Sequence, residues 1–132
     1  MSQDSVEKLR LLADALTAGE PIPEFVAADH RSENVNTAVT DKTYVGPDGL
    51  REWRKDMFSA FGEDVRFQVD KVVADGDDYV VAFVSLKGRG AASGAPLDLR
   101  WTNVAWFRDG MLVRSAGYER RREALKAAGL EE

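Results

Sequence analysis

The sequence predicts an α+β protein in which a curved antiparallel sheet packs on helices. Apolar residues recur at helical spacing in the first part of the chain, and from Val65 onward the spacing changes to the period of two that is typical of strands. The chain ends with a long strand over 97–108, a turn at Asp109-Gly110, a second strand over 111–118 and a short charged helix. Helices followed by such a meander can enclose a pocket for a small organic molecule.

The first two predicted helices come before any strand. One covers about residues 5–18, where apolar side chains recur every three or four positions, and Gly19 ends it. Pro21 and Pro23 predict a short second helix that reaches Ala28, because proline fits the first turn of a helix or the residues before it.

A third helix is predicted after a strand and a loop. We expect the short strand over 30–36 and the loop over 37–45. The Gly-Pro-Asp-Gly segment at 46–49 indicates the start of the helix, which has a broad apolar face over 50–61 and ends at Gly62.

The remaining strands form a predicted antiparallel meander. Strands over 65–74 and 78–88 meet at the Asp75-Gly76 turn, and a link over 88–96 leads to the last two strands. Alternate side chains in 79–84 point to opposite faces of the sheet and both sets are apolar, so other parts of the protein must cover both faces. Helices can cover one face, and we expect a second copy of the chain to cover the other in a homodimer.

Composition narrows the class of protein. The 132 residues predict a single domain over 1–132, and the lack of cysteine fits a cytoplasmic protein without disulfides or cysteine-based metal sites. A net charge of -5 argues against nucleic acid as a partner. We expect no membrane span, because no stretch approaches the eighteen or so apolar residues that a span needs. The basic run at 120–122 could hold an anionic group, although a solvated helix face explains it better.

Four short segments carry a resemblance to a known family. They are ALTAGE at 15–20, YVGPDGLREW at 44–53, VAWFRDG at 104–110 and EALKAAGL at 123–130. In this order and at these spacings, the chain resembles the SnoaL-like branch of the nuclear transport factor two superfamily, which also holds ketosteroid isomerases, limonene epoxide hydrolases and scytalone dehydratases. The resemblance covers nearly the whole chain. It implies a cone in which three N-terminal helices and the concave sheet face enclose an apolar pocket, while the convex face makes a dimer.

The resemblance also implies where catalytic groups would stand. The tyrosine, the base and the second donor of a ketosteroid isomerase fall at Leu12, Asn34 and Asn103, and the acid of SnoaL-like polyketide cyclases falls at Gly117. Leucine donates nothing and asparagine does not carry a proton, so neither known route is open to this chain.

Strand alternation predicts which side chains share the interior with the two asparagines. His30 and Ser32 follow Asn34, Trp101 follows Asn103, and Ser115 follows the position of Gly117.

Two of the titratable residues are candidate proton carriers. His30 is the only histidine in the chain, and its ordinary pKa suits proton transfer near neutrality; alternatively it is a buried wall residue or the exposed start of a strand. Glu119 could act as a base at the pocket mouth; alternatively it faces solvent at the start of the last helix.

The remaining candidates would bind a ligand. We expect the amides of Asn34 and Asn103 on facing walls of the pocket, where they must bond each other, water or a ligand, since a buried amide without a partner costs about 1 to 3 kcal/mol. Trp53 and Trp101 could stack on a flat ligand, or they could fill the core.

The catalytic residues of an epoxide hydrolase are less well supported in this sequence. Asp98 and Arg100 have the spacing of part of the Asp-Arg-Asp set that epoxide hydrolases of this superfamily use, but their parity places them on the face opposite Asn103. A salt bridge across the dimer on the convex face explains the pair better. We predict no metal site and no cofactor, because the chain has one histidine, no cysteine and no carboxylate cluster with ligand spacing.

Three functions remain open at this point. The first is an isomerase, cyclase or hydrolase that acts on a small hydrophobic or aromatic molecule, with His30 or Glu119 as proton carrier. The second is a binding or accessory module that uses the same pocket without catalysis. The third is an interaction scaffold whose pocket is filled by its own side chains.

Overall fold

The structure, a computed structural model, describes residues 2–35, 42–62, 64–89 and 96–130. Along the chain the elements are α1 (Ser2–Ala18), β1 (Val26–Val35), β2 (Tyr44–Val45), α2 (Gly46–Phe61), β3 (Arg66–Asp75), β4 (Tyr79–Arg89), β5 (Pro96–Arg108), β6 (Met111–Tyr118) and α3 (Arg121–Ala127). The helices α1 and α2 pack on one face of a curved, open sheet, here called the inner face, and α3 packs on the outer face. The predicted α+β class with its short C-terminal helix is confirmed.

The six strands of the described ranges form one sheet with the order β2-β1-β6-β5-β4-β3. The predicted meander from β3 to β6 is confirmed as antiparallel. In contrast, β1 pairs with β6 in parallel, so the sheet is mixed and the prediction of a wholly antiparallel sheet is wrong at this pair. Parallel neighbours need a long connection, and β1 and β6 have most of the chain between them.

The hairpin between β5 and β6 follows from its two turn residues. Arg108 pairs with Met111, so the loop consists of Asp109 and Gly110 alone. Their φ angles of 54° and 80° are both positive, as the tight turn that matches strand twist requires. A one-residue shift in register between Trp106 and Phe107 then aligns Asn103 with Gly117, so the register at the inner side chains depends on both the hairpin and this bulge.

The short helix predicted from Pro21 toward Ala28 is wrong. β1 begins at Val26, which is 4 % exposed, and the backbone N–H of Leu112 donates to the carbonyl of Phe25 over 2.8 Å. Pairing with β6 therefore overrides the local proline signal, and within the described ranges two helices rather than three precede the meander.

Several predicted boundaries also move. The strand expected over 30–36 begins four residues earlier, at Val26, and in the loop expected over 37–45 the last two residues form β2. The first part of that loop, over 37–41, and the centre of the predicted link, over 90–95, lie outside the described residues. None of the described helices is long and apolar enough to cross a membrane.

Both faces of the sheet are apolar, as the pattern in β4 predicts. Val80 pairs with Ala105 and belongs to the inner cluster under α1 and α2. The next residue, Val81, pairs with Val104 and belongs to the outer cluster that α3 covers. The outer face is therefore partly covered by a helix of the same chain.

Side chains of α1 hold the helix along the free edge of β3. The Thr17 hydroxyl accepts a hydrogen bond from the Phe67 N–H at 2.9 Å and donates to the Phe67 carbonyl at 3.3 Å. Arg10 donates to the carbonyl of Val69 at 3.1 Å. These bonds satisfy backbone groups that an edge strand leaves open, so they discourage pairing of this edge with another chain.

Candidate functional site

A cavity of about 90 Å³, partly open to solvent, lies between α1, α2 and the inner face of the sheet. Its apolar wall consists of Leu9, Leu12, Ala13, Leu16, Leu50, Trp53, Phe67, Val69, Val84 and Trp101. Common small-molecule sites have volumes from roughly 300 Å³ upward, so this space suits only a compact molecule.

Trp53 packs inside this wall. Its ring lies 4.7 Å from that of Phe67, centroid to centroid, at a tilt of 39°. The side chain is 7 % exposed, and its Nε1 has no hydrogen-bond partner within the described part of the chain. Trp53 therefore fills core space and borders the cavity at once. Trp101 is half-buried and borders both the cavity and a groove on the outer face.

The polar part of the cavity comes from three adjacent strands. Ser32 in β1, Ser115 in β6 and Asn103 in β5 are half-buried and border the cavity, as the strand parity predicts. Ser32 and Ser115 are direct register partners. Neutral hydrogen-bonding groups thus gather on one side of a mostly apolar space.

His30 stands behind this polar group. Its side chain is fully buried, and Nε2 lies 3.0 Å from the Ser115 Oγ. Nδ1 is buried without a hydrogen-bond partner. Burial lowers the pKa of His30 from 6.5 to about 4, although the charge of Asp29 acts in the opposite direction. The imidazole is therefore neutral at physiological pH.

The two asparagines occupy one row of the sheet. Gly117 in β6 pairs with Asn34 on one side and with Asn103 on the other, so the two backbones lie roughly 10 Å apart, with one strand between them. They are neighbours in one wall rather than residues of facing walls. The side chain of Asn34 lies outside what the structure describes.

The other charged candidates lie on the outer face. Glu119 is exposed and borders the outer groove with Arg100 and Arg121. Arg100 donates to Asp98 at 2.9 Å, and neither residue borders the cavity among the described residues. The opposite-face placement that parity predicts for this pair is confirmed, and the ion pair forms within one chain.

The described ranges contain no set of side chains that could bind a metal ion. No group of three or more histidine and acidic side chains there is placed to hold a metal ion.

The contact between His30 and Ser115 is the feature that the sequence analysis missed. Parity placed both residues inside, but it could not show that β1 and β6 are neighbours, because that pairing joins opposite ends of the chain. Ser85 was also missed: it is 1 % exposed, borders the cavity, and its hydroxyl has no partner among the described residues.

Known structures share this fold at low sequence identity. A hypothetical protein with a ketosteroid isomerase-like fold from Catenulispora acidiphila, in complex with trimethylamine, has a TM-score of 0.72 and 18 % identity over 94 % of this chain and 93 % of that one. TerC, co-crystallised with polyporic acid, gives 0.71 and 14 % over 96 % and 97 %. A nuclear transport factor two-like protein of unknown function from Mesorhizobium loti gives 0.66 and 20 % over 90 % and 93 %.

The sequence comparison is more specific than the structural one. None of the curated proteins is similar enough in sequence to count as a match. The SnoaL-like domain, however, matches residues 10–115, which run from the second half of α1 through β5 into β6. The chain therefore belongs to the SnoaL-like domain family.

Proposed function

We propose that this protein binds a compact, uncharged organic molecule in the cavity. One observation carries the proposal: the Ser115 hydroxyl, held 3.0 Å from a fully buried histidine, stands at the polar side of an otherwise apolar space. A few fixed polar groups within an apolar lining are the usual composition of a small-molecule site. Ser115, Ser32 and Asn103 are the proposed ligand contacts, and Asn34 joins them as a prediction from its place in the row.

The charge of the wall supports a neutral ligand. Glu33 is the one charged residue that borders the cavity among those described, and its carboxylate accepts a hydrogen bond from Arg114 at 2.9 Å, so its charge is already paired. No described lysine or arginine borders the cavity. An anion would lose its hydration there without gaining a cationic partner. The size of the ligand, but not its charge, is supported by the neighbour from Catenulispora acidiphila, which is in complex with the small base trimethylamine.

Binding is testable with acetone as a probe. Acetone titrated into the protein should shift NMR signals of residues around the cavity. Ala13→Leu places a larger side chain at the cavity wall and should remove these shifts, whereas Ala18→Leu, at an exposed position of the same helix, should keep them. Shifts absent from the unmodified protein, or equal in both variants, would refute the proposal.

Catalysis is a second candidate function. The distance of 3.0 Å between His30 Nε2 and the Ser115 hydroxyl would suit proton exchange if Nε2 were the unprotonated nitrogen of the imidazole, so this candidate requires the tautomer opposite to the one inferred below. If the site moves protons, acetone in D₂O should exchange its methyl hydrogens faster with the protein than in buffer, and His30→Gln should remove the gain. Glu119→Gln tests the other predicted carrier in the same assay. Exchange at the buffer rate would leave binding as the function.

We also propose that a second copy covers the outer face. Phe83 and Trp106 remain half-buried there beside α3, while α1 occupies the edge of β3. The outer groove has both acidic and basic side chains, so two copies can pair opposite charges; the set is Asp70, Lys87, Arg100, Glu119 and Arg121. The cytoplasmic location stays a prediction.

The oligomeric state tests this contact. Sedimentation should find a dimer, and Phe83→Glu should give a monomer that still binds acetone. Leu11→Glu, on an exposed part of α1, should leave the dimer intact. A monomeric unmodified protein, or a dimer that survives Phe83→Glu, would refute the proposed contact.

A further inference from the structure

We propose that His30 is fixed as the tautomer with its proton on Nε2, so that it donates to Ser115 and leaves the Ser115 hydroxyl hydrogen for an acceptor atom of the bound molecule. The inference rests on the proposed binding function and deepens it, since it states which hydrogen-bonding group the ligand must present. It also assigns Ser115 the role of a donor rather than of a nucleophile.

The imidazole of His30 is uncharged. His30 is fully buried, its hydrogen-bond partner in the described part of the chain is a neutral hydroxyl, and the charge of the exposed Asp29 acts on it only through space. Burial without a bonded carboxylate favours the neutral ring, in agreement with the lowered pKa. A neutral imidazole has one N–H donor and one acceptor nitrogen.

The single N–H proton of the neutral imidazole lies on Nε2. If the proton were on Nδ1, a buried N–H donor would have no partner, because Nδ1 has none in the described part of the chain. With the proton on Nε2, the donor is satisfied by Ser115 at 3.0 Å, and Nδ1 leaves only an acceptor lone pair open. Orphaned buried N–H groups are rarer than under-satisfied acceptors, so the second arrangement is favoured.

The Ser115 hydroxyl is left as a hydrogen-bond donor toward the cavity. Once the Ser115 oxygen accepts from Nε2–H, its own hydrogen is free to donate, and Ser115 borders the cavity. The basic lone pair of His30 lies on Nδ1, away from Ser115, so the imidazole does not activate the hydroxyl as a nucleophile. The ligand class is therefore a compact neutral molecule with an acceptor oxygen, such as a carbonyl compound.

A single histidine in the chain makes the tautomer directly measurable. In ¹⁵N-labelled protein, two-bond ¹⁵N–¹H correlations of the imidazole should show one protonated Nε2 and one unprotonated Nδ1 at neutral pH. A protonated Nδ1, or an average of both forms, would overturn the inference. This experiment needs no ligand, so it is independent of the binding function.

Two probes of the same shape test the donor role. Acetone and isobutene differ only in the oxygen and methylene at one end. Ser115→Ala should weaken acetone binding about fivefold, as expected for one neutral hydrogen bond, and should leave isobutene binding unchanged. Ser115→Thr, which keeps the hydroxyl, should restore acetone affinity.

The outcomes separate the two proposals. Equal losses for both probes would show that Ser115 acts through packing, and would overturn the inference while binding stands. If neither probe binds although the tautomer is as stated, the binding function fails and the donor role fails with it.

Discussion

The imidazole of His30 and the hydroxyl of Ser115 lie 3.0 Å apart on neighbouring parallel strands, between the polar side of the cavity and the buried interior. This contact joins His30, which is fully buried, to Ser115, which is half-buried and borders the cavity. The site is therefore coupled to the stability of the sheet, and the coupling can be measured through pH.

Stability should fall as the pH drops from about 6.5 to about 4. The native state keeps His30 neutral until its lowered pKa of about 4, whereas the unfolded chain takes up a proton near the ordinary 6.5. The unfolded state then binds more protons, so the free energy of unfolding decreases by about 3 kcal/mol across this window. Urea denaturation at intervals of pH measures the loss.

The matched variant is His30→Gln, which removes the titrating group. Its unfolding free energy should change less with pH in this window than that of the unmodified protein, and the difference isolates His30 from the carboxylates. If the variant does not fold, the NMR titration of the single imidazole decides. A native pKa near 6.5 would contradict the prediction.

Trp53→Phe should enlarge the cavity enough to admit benzene. Trp53 borders the cavity, and replacement of an indole by a smaller ring leaves space that the surroundings fill only in part. An apolar cavity of about 150 Å³ is known to hold benzene. Benzene should therefore raise the melting temperature of Trp53→Phe but not that of the unmodified protein. The control is Trp106→Phe on the outer face, for which a benzene response would contradict the assignment.

Thr17→Val should destabilise the fold by about 1 to 2 kcal/mol. The substitution keeps the shape but removes both bonds to the backbone of Phe67, at the edge of the sheet. Urea denaturation measures the change, and Thr43→Val, at an exposed position, is the control with no expected loss. Equal effects of the two variants would show that the edge contacts contribute little.

Asp98→Asn should leave both the melting temperature and acetone binding unchanged. Asp98 and Arg100 are exposed on the outer face and do not border the cavity among the described residues. Exposed ion pairs contribute little to stability. A loss of acetone binding in Asp98→Asn would contradict this prediction. It would show that Asp98 and Arg100 belong to the site, as the catalytic residues of an epoxide hydrolase would.

Much of the fold and part of the site were readable from the sequence. The period-two pattern from Val65 onward predicted the meander, and the Asp109-Gly110 pair predicted its tight hairpin, because these signals depend on neighbouring residues. Parity within one strand placed Asn103 inside and Asp98 outside for the same reason. The resemblance of four segments pointed to the family to which the chain belongs.

Only the tertiary structure decided which strands are neighbours. β1 joins β6 in parallel across most of the chain length; this pairing replaced the helix expected after Pro21 and brought His30 to Ser115. No local pattern specifies such a contact, because its hydrogen bonds and its burial exist only once both strands lie in one sheet. The volume of the cavity depends on the packing of α1 and α2 over that sheet, so it too was settled by the folded chain.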